Sequence, residues 1–271
     1  MSAPVEMREV APWVARLARV GYAAKAILYI TIGILAAQAA FGPGGGTTDT
    51  QGALGVVHDM SFGRVLLLII AAGLIGYALW RVVEAIADPD GRGSGAKGIA
   101  IRASFALRGL FHGAIGVAAL RLAGGSRSGG SSDGARHLTA YTFGMPAGEL
   151  LVWLAAASVI GYGVYQLYRA YSSKLGKQLD LTALSQPGHA WVVGVSRFGI
   201  AARGVVFCII GFLLARAAER HDANQVGGMR ESLGLLANMG RWPFALVALG
   251  LIAYGVYELV NARYRRIRVA G

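Results

Sequence analysis

Three basic residues stand inside long apolar stretches of this chain, where a charge is costly. Each follows another basic residue by six positions, and a glycine comes eight residues after it. A charge at the centre of a bilayer costs at least about 2.5–3.5 kcal/mol, so an anion, a lipid headgroup or a polar interior must compensate it. The spacing makes these residues candidates for binding an anion or an anionic lipid headgroup: Lys25, Arg108 and Arg203, with the preceding Arg19, Arg102 and Arg197.

A helix would place each second cation and the following glycine on one face, because positions i, i+4 and i+8 lie above one another. Glycine allows membrane helices to approach closely, so we predict helix packing at Gly33, Gly116 and Gly211. Three such helices around a shared axis would form a ring of cations that attracts phosphate or another anion. The alternative is that the long side chains reach outward to headgroups and make structural pairs.

Two glutamates near the ends of apolar stretches, Glu84 and Glu258, are possible counter-charges for this ring. Each has a polar residue three positions away, which permits pairing within a helix turn. No pair of carboxylates falls inside an apolar stretch. This argues against the proton- or sodium-coupled transporters that use intramembrane acids.

Other chemistry has weak support in the sequence. His112 is the only histidine within an apolar stretch and could carry a proton, but Tyr29 and Phe207 occupy the corresponding positions. The remaining histidines lack metal-ligand spacing, so we expect no metal site. Gly-x-Ser-x-Gly, P-loop and His-Glu-x-x-His motifs are absent, so we expect neither a catalytic residue nor a cofactor.

The composition indicates an integral membrane protein. The 271 residues are 55% hydrophobic and only 15% charged, whereas soluble domains average about 25% charged residues. The net charge of +12 favours anionic lipid over nucleic acid, because the cations mostly flank apolar stretches. Six stretches are long enough for membrane helices: Val20–Phe41, Val65–Ala87, Ala103–Ala123, Leu150–Tyr168, Phe198–Ala218 and Trp242–Val260.

The stretches form three pairs, and a glycine-, serine- or charge-bearing loop joins the two members of each pair. A short amphipathic segment follows each loop and is typical of a helix at the membrane interface: Ala53–Met60, Ala135–Thr142 and Glu231–Met239. The side that holds both termini carries most of the flanking cations, which predicts that both termini are cytoplasmic. A group of tyrosines and Trp80 near this side is typical of an interfacial aromatic belt, with a ligand cage as the alternative: Tyr77, Tyr162, Tyr165, Tyr168, Tyr254 and Tyr257.

The repeated pattern resembles a family of bacterial membrane proteins built from three two-helix repeats, the domain of unknown function 1206. The resemblance rests on the three basic–x5–basic–x7–Gly motifs and on the Gly-Tyr-x-x-aromatic motifs at Gly76–Trp80 and Gly161–Tyr165, with Ala253 replacing the glycine in the third copy. It implies six membrane helices in the bacterial inner membrane and an unassigned activity.

The sequence therefore predicts one all-α membrane domain over residues 1–271, with parallel repeats at about 12–87, 98–172 and 193–264. The repeats would be related by pseudo-threefold symmetry about the membrane normal. We expect a structural or accessory protein, not an enzyme, that binds anionic headgroups on the cytoplasmic side. The alternative is a small channel or transporter for an anion or small solute. The sequence specifies no protein partner or oligomeric state.

Overall fold

Six long helices dominate the computed structural model, which describes residues 7–9, 12–41, 47–88, 93–126, 131–172, 185–265 and 268–270. All six are long and apolar enough to cross a membrane, so the prediction of six helices with the length and composition of membrane spans is confirmed. Their bounds are α1 Pro12–Phe41, α3 Gly63–Ala87, α4 Ala96–Ala123, α6 Gly148–Tyr171, α7 Gln186–Glu219 and α9 Arg241–Tyr264.

The helices begin earlier than the apolar stretches predicted. α4 begins at Ala96 and α7 at Gln186, 7 and 12 residues before the predicted starts. Basic residues at these positions have good helix propensity, so a charge that ends an apolar stretch does not end the helix. Arg108 and Arg203 consequently lie well inside their helices.

Three short helices follow the first member of each pair: α2 Thr50–His58, α5 Ser131–Phe143 and α8 Met229–Met239. The Asp49 side chain accepts a hydrogen bond from the Gly52 amide at 2.8 Å and caps the start of α2. α2 and α8 do more than lie against the bundle, because Leu54 and Leu233 are fully buried in the main apolar core. An interfacial position for these helices stays a prediction.

The closest helix pairs join different repeats: α1 with α9, α3 with α4, and α6 with α7. The predicted packing glycines lie in these three contacts. A Cβ atom added to Gly33, Gly116 or Gly211 would lie 2.6–2.8 Å from the Cγ1 atom of an isoleucine on the partner helix. These isoleucines are Ile252, Ile75 and Ile160, respectively. The glycine faces thus meet the neighbouring repeat and not a central axis.

Within the repeats, α1 packs on α3 and α7 packs on α9, whereas α4 and α6 make almost no contact in the described chain. Following neighbours from α1 through α3 to α4, and from α6 through α7 and α9 back to α1, gives a six-helix ring with one opening. We call this opening the α4–α6 gap. The two long helices of the middle repeat therefore do not pack on each other, unlike those of the first and third repeats.

The main apolar core fills the end of the bundle that carries α2 and α8. It includes the late part of α1 and the early parts of α3 and α9, with Ile32, Ile70 and Leu251 fully buried. At the opposite end, the short strands β1 (Met7–Glu9) and β2 (Arg268–Ala270) pair antiparallel and bring the two chain ends together. We call this opposite end the terminal end.

Candidate functional site

A cavity of about 800 Å³ opens at the terminal end and is lined by all six long helices. Volumes of roughly 300–1,000 Å³ are typical of ligand pockets. The early turns of α1 and α4 and the late turns of α3, α6 and α9 supply most of its lining. Its charged and amide side chains are Lys25, Arg81, Glu84, Lys97, Arg108, Gln166, Arg169, Arg203, Glu258, Asn261 and Arg265.

The cavity carries a strong excess of positive charge. Seven of its lining residues are lysine or arginine, and two are glutamate. Lys25 and Arg81 have glutamate partners, whereas Arg108 and Arg203 have no carboxylate oxygen within 4.0 Å in the part of the chain that the structure describes. A concave surface with this charge excess concentrates anions.

Arg203 is only 7% exposed and is held by aromatic side chains. Its Nε donates to the hydroxyl of Tyr29 at 3.0 Å, and its Nη1 donates to the hydroxyl of Tyr162 at 3.2 Å. The guanidinium carbon lies 4.7–5.8 Å from the ring centres of these two tyrosines, Phe207 and Tyr254. Cation–π contacts of this kind stabilise a buried cation by about 0.5–2 kcal/mol each, and they leave its positive charge uncompensated by an anion.

Lys25 differs from Arg203, although the two occupy equivalent positions. Its Nζ lies 2.9 Å from Oε1 of Glu258, and both side chains are buried. The hydroxyl of Tyr254 donates to the same carboxylate oxygen. The predicted ring therefore has one neutralised member, and Glu258 is the counter-charge. Glu84 instead pairs with Arg81 on its own helix, at 2.6 Å.

Arg108 and His112 lie in α4 beside the α4–α6 gap. Arg108 makes long cation–π contacts with Phe105 and Tyr162, at 6.0 and 5.8 Å. His112 is buried, its Nδ1 lies 2.8 Å from the Arg108 carbonyl oxygen, and its ring meets the edge of Tyr77. Both side chains line the cavity. Arg108 makes no side-chain hydrogen bond to a described residue, so it is less constrained than Arg203, which donates to two tyrosine hydroxyl groups.

The preceding cations Arg19, Arg102 and Arg197 do not line the cavity. Arg102 donates from Nε and Nη2 to the carbonyl oxygens of Ala85 and Ile86, at 2.8 and 2.9 Å. It thereby satisfies carbonyl groups at the end of α3. Arg19 is exposed, and Arg197 lies against the last turns of α6. Headgroup binding by these three residues stays a prediction.

Sequence reasoning missed several cavity residues, including Lys97, Arg169 and Arg265. Lys97 and Arg265 lie outside the repeated motifs and carried no such signal. A signal was present for other cavity residues, because the position after each Tyr-x-x-aromatic motif is polar in all three repeats and lines the cavity, as Arg81, Gln166 and Glu258. The interfacial belt is wrong for Tyr77, Tyr254 and Tyr257, which are buried inside the bundle. Their hydroxyl groups bond to Arg81, Glu258 and Arg169, respectively. In each repeat, the motif tyrosine and the polar residue one helical turn after it therefore line the cavity.

The family described as Domain of Unknown Function (DUF1206) matches residues 20–88, 103–173 and 198–265. The chain belongs to this family. Over 262 residues it is 31% identical to the uncharacterized protein YxxB of Bacillus subtilis (strain 168). The aligned region covers 96% of this chain and 94% of that protein. No solved structure matches the chain. The three family matches confirm the three repeats, and the bacterial relative fits a bacterial membrane.

Proposed function

We propose that this DUF1206 protein is an accessory membrane protein that binds an anionic, phosphate-bearing group in the cavity at the terminal end. The observation that carries the proposal is the pair of unmatched cations, Arg108 and Arg203, in a cavity whose wall holds seven basic and two acidic side chains. Guanidinium groups present several N–H donors that suit phosphate oxygens. The role is binding and not catalysis.

The α4–α6 gap supports a lipid as the source of that phosphate. α4 and α6 both line the cavity, yet they barely touch in the described chain. Their outward surfaces carry exposed apolar side chains such as Leu107, Leu110 and Val164. A lipid could place its headgroup in the cavity while its acyl chains remain in the bilayer.

The symmetry and orientation of the repeats also belong to this proposal. The equivalent glycine–isoleucine contacts between successive repeats support an approximate threefold relation about the membrane normal. The cation-rich terminal end favours a cytoplasmic position for the cavity. Green fluorescent protein fused after Gly271 should fluoresce, because it matures in the cytoplasm. A dark fusion that is nevertheless inserted and full-length would contradict this orientation.

Binding is tested by native mass spectrometry of the purified protein titrated with phosphatidylglycerol, with phosphatidylcholine as the neutral reference. Replacing both Arg108 and Arg203 with Gln should weaken phosphatidylglycerol binding at least about tenfold. A hydrogen bond to a charged group contributes about 1.5–3 kcal/mol, and 1.4 kcal/mol is tenfold in affinity. Arg108→Gln alone should weaken binding severalfold without affecting folding, since no hydrogen bond of its side chain holds the helices together in the described chain.

The matched control replaces Arg121 and Arg216 with Gln. These residues lie on the same two helices, 13 positions later, and do not line the cavity. The control should bind phosphatidylglycerol like the unmodified protein. Equal losses in the two double variants, or no preference over phosphatidylcholine, would overturn the proposal. In a second arm, displacement of the lipid by millimolar inorganic phosphate would identify a soluble anion as the ligand.

A second candidate function is passage of an anion or small solute. The ring of helices around an open cavity favours it, whereas the fully buried core at the α2–α8 end opposes it. Proteoliposomes loaded with phosphate distinguish the two. Phosphate efflux that depends on Arg108 and Arg203 would support transport. Efflux no faster than from protein-free liposomes loaded with phosphate would rule transport out.

A further inference from the structure

Two buried polar atoms in the cavity wall lack a hydrogen-bond partner among the described residues. They are Nε2 of Gln166 and Oε2 of Glu258, and each residue is only 1% exposed. Leaving such a group unpaired costs about 1–3 kcal/mol, and nearly all buried polar groups in native proteins are paired. Because both side chains line the cavity, its occupant is the natural partner for them.

The two atoms require different hydrogen-bond partners. The Gln166 amide nitrogen donates hydrogen bonds, whereas an ionised carboxylate oxygen such as Oε2 of Glu258 only accepts them. A phosphate oxygen would satisfy the glutamine but would be repelled by the glutamate. An ammonium group would satisfy the glutamate, but it could not accept from the glutamine and would face an excess of cations. A hydroxyl group satisfies both, since it donates and accepts.

Connections between the helices bring this pair close to the cation site. Arg169, one turn beyond Gln166, donates from Nη2 to the hydroxyl of Tyr257 at 2.7 Å and joins α6 to α9. Tyr257 immediately precedes Glu258. One turn before Gln166, the hydroxyl of Tyr162 accepts a hydrogen bond from Arg203. Glu258 accepts from the hydroxyl of Tyr254, whose ring also contacts Arg203. The unpaired amide and carboxylate therefore lie one helical turn from contacts of Arg203 and line the same cavity as Arg108 and Arg203.

We propose that the cavity selects a phosphate ester of a polyol, with its phosphate near Arg203 and Arg108 and a hydroxyl group between Gln166 and Glu258. This inference rests on the proposed function and narrows its ligand class. A bare phosphate ester would leave the glutamate oxygen unpaired. A glycerol headgroup supplies free hydroxyl groups next to the phosphate.

The test compares phosphatidylglycerol with phosphatidic acid, which has the same backbone but no polyol headgroup. The unmodified protein should bind phosphatidylglycerol at least about tenfold more tightly, because one recovered buried hydrogen bond corresponds to roughly that factor. Phosphatidic acid carries the greater negative charge, so charge attraction alone would give the opposite order. Gln166→Leu should reduce the preference below threefold while leaving phosphatidic acid binding unchanged.

Ser104→Ala is the matched control. Ser104 also lines the cavity, but its hydroxyl already donates to the Ile101 carbonyl at 2.7 Å. This variant should keep the full preference for phosphatidylglycerol. Equal binding of the two lipids by the unmodified protein, or an equal loss of both in Gln166→Leu, would overturn the polyol inference. Failure to bind either lipid or inorganic phosphate would instead remove the proposed function itself.

A soluble arm repeats the comparison without acyl chains. Glycerol 3-phosphate should displace bound phosphatidylglycerol at a lower concentration than inorganic phosphate does, and Gln166→Leu should remove that difference. Equal potency of the two competitors in the unmodified protein would count against a hydroxyl-binding pair.

Discussion

The two ends of this bundle solve the problem of burial in opposite ways. At the α2–α8 end, aliphatic side chains and close glycine contacts exclude water. At the terminal end, the same six helices separate around a cavity and face it with arginine, lysine and tyrosine. One repeated helix pair therefore supplies both a packed half and a half that lines the cavity. The first half holds the ring together, and the second is free to carry function.

The largest effect on stability should come from breaking the buried ion pair at the terminal end. Glu258→Leu leaves the Lys25 ammonium without its partner at 2.9 Å, and removing one member of a buried pair costs about 3–5 kcal/mol. The midpoint of thermal unfolding in detergent should fall accordingly. Replacing Lys25 with Met in the same protein should restore most of the loss. A single variant as stable as the unmodified protein would show that water already compensates the lysine.

A smaller effect is expected at the packed half. Gly33→Ala brings a methyl group 2.6 Å from Cγ1 of Ile252 and 2.8 Å from its backbone nitrogen. Overpacking of this kind costs about 1–3 kcal/mol, and unfolding in detergent should occur at lower temperature. Gly161→Ala is the control, because an added Cβ meets nothing within 4 Å there and alanine has the higher helix propensity. Equal destabilisation by the two substitutions would contradict close packing of α1 against α9 at Gly33.

The smallest effect on stability should arise at the edge of the terminal end, outside the cavity. Arg102→Gln removes two hydrogen bonds to the last carbonyl groups of α3. Because the Arg102 side chain is partly exposed, water competes for these carbonyl groups, and each bond contributes only about 0.5 kcal/mol, at the low end of the usual range. Hydrogen exchange of the last turn of α3 should speed up, while phosphatidylglycerol binding should stay unchanged. A loss of binding comparable to that of Arg108→Gln would place Arg102 in the site.

Much of the fold followed from the sequence because hydrophobic length and triplicated spacing are local signals. The six spans and the three repeats could be read in this way. The separation of α4 from α6 could not, because it depends on how weakly the middle repeat packs against itself. The candidate cations were visible as costly charges, but the pairing of Lys25 with Glu258 joins residues from opposite ends of the chain. The unpaired amide of Gln166 becomes apparent only when its surroundings are known.

The single opening in the ring divides the molecule into two arms, α1–α3–α4 and α6–α7–α9. In the order of neighbours, the seam between α1 and α9 lies opposite that opening. Spreading of the arms would therefore be taken up at this seam, where Gly33 and Gly255 let the side chains of Ile252 and Ile30 pack directly against the backbone of the opposite helix. Because α4 and α6 are farthest from this seam in the order of neighbours, a small rotation at the seam would displace them more than it displaces α1 and α9. Lateral pressure that spread or closed the arms would therefore appear mainly as a change in the width of the α4–α6 gap.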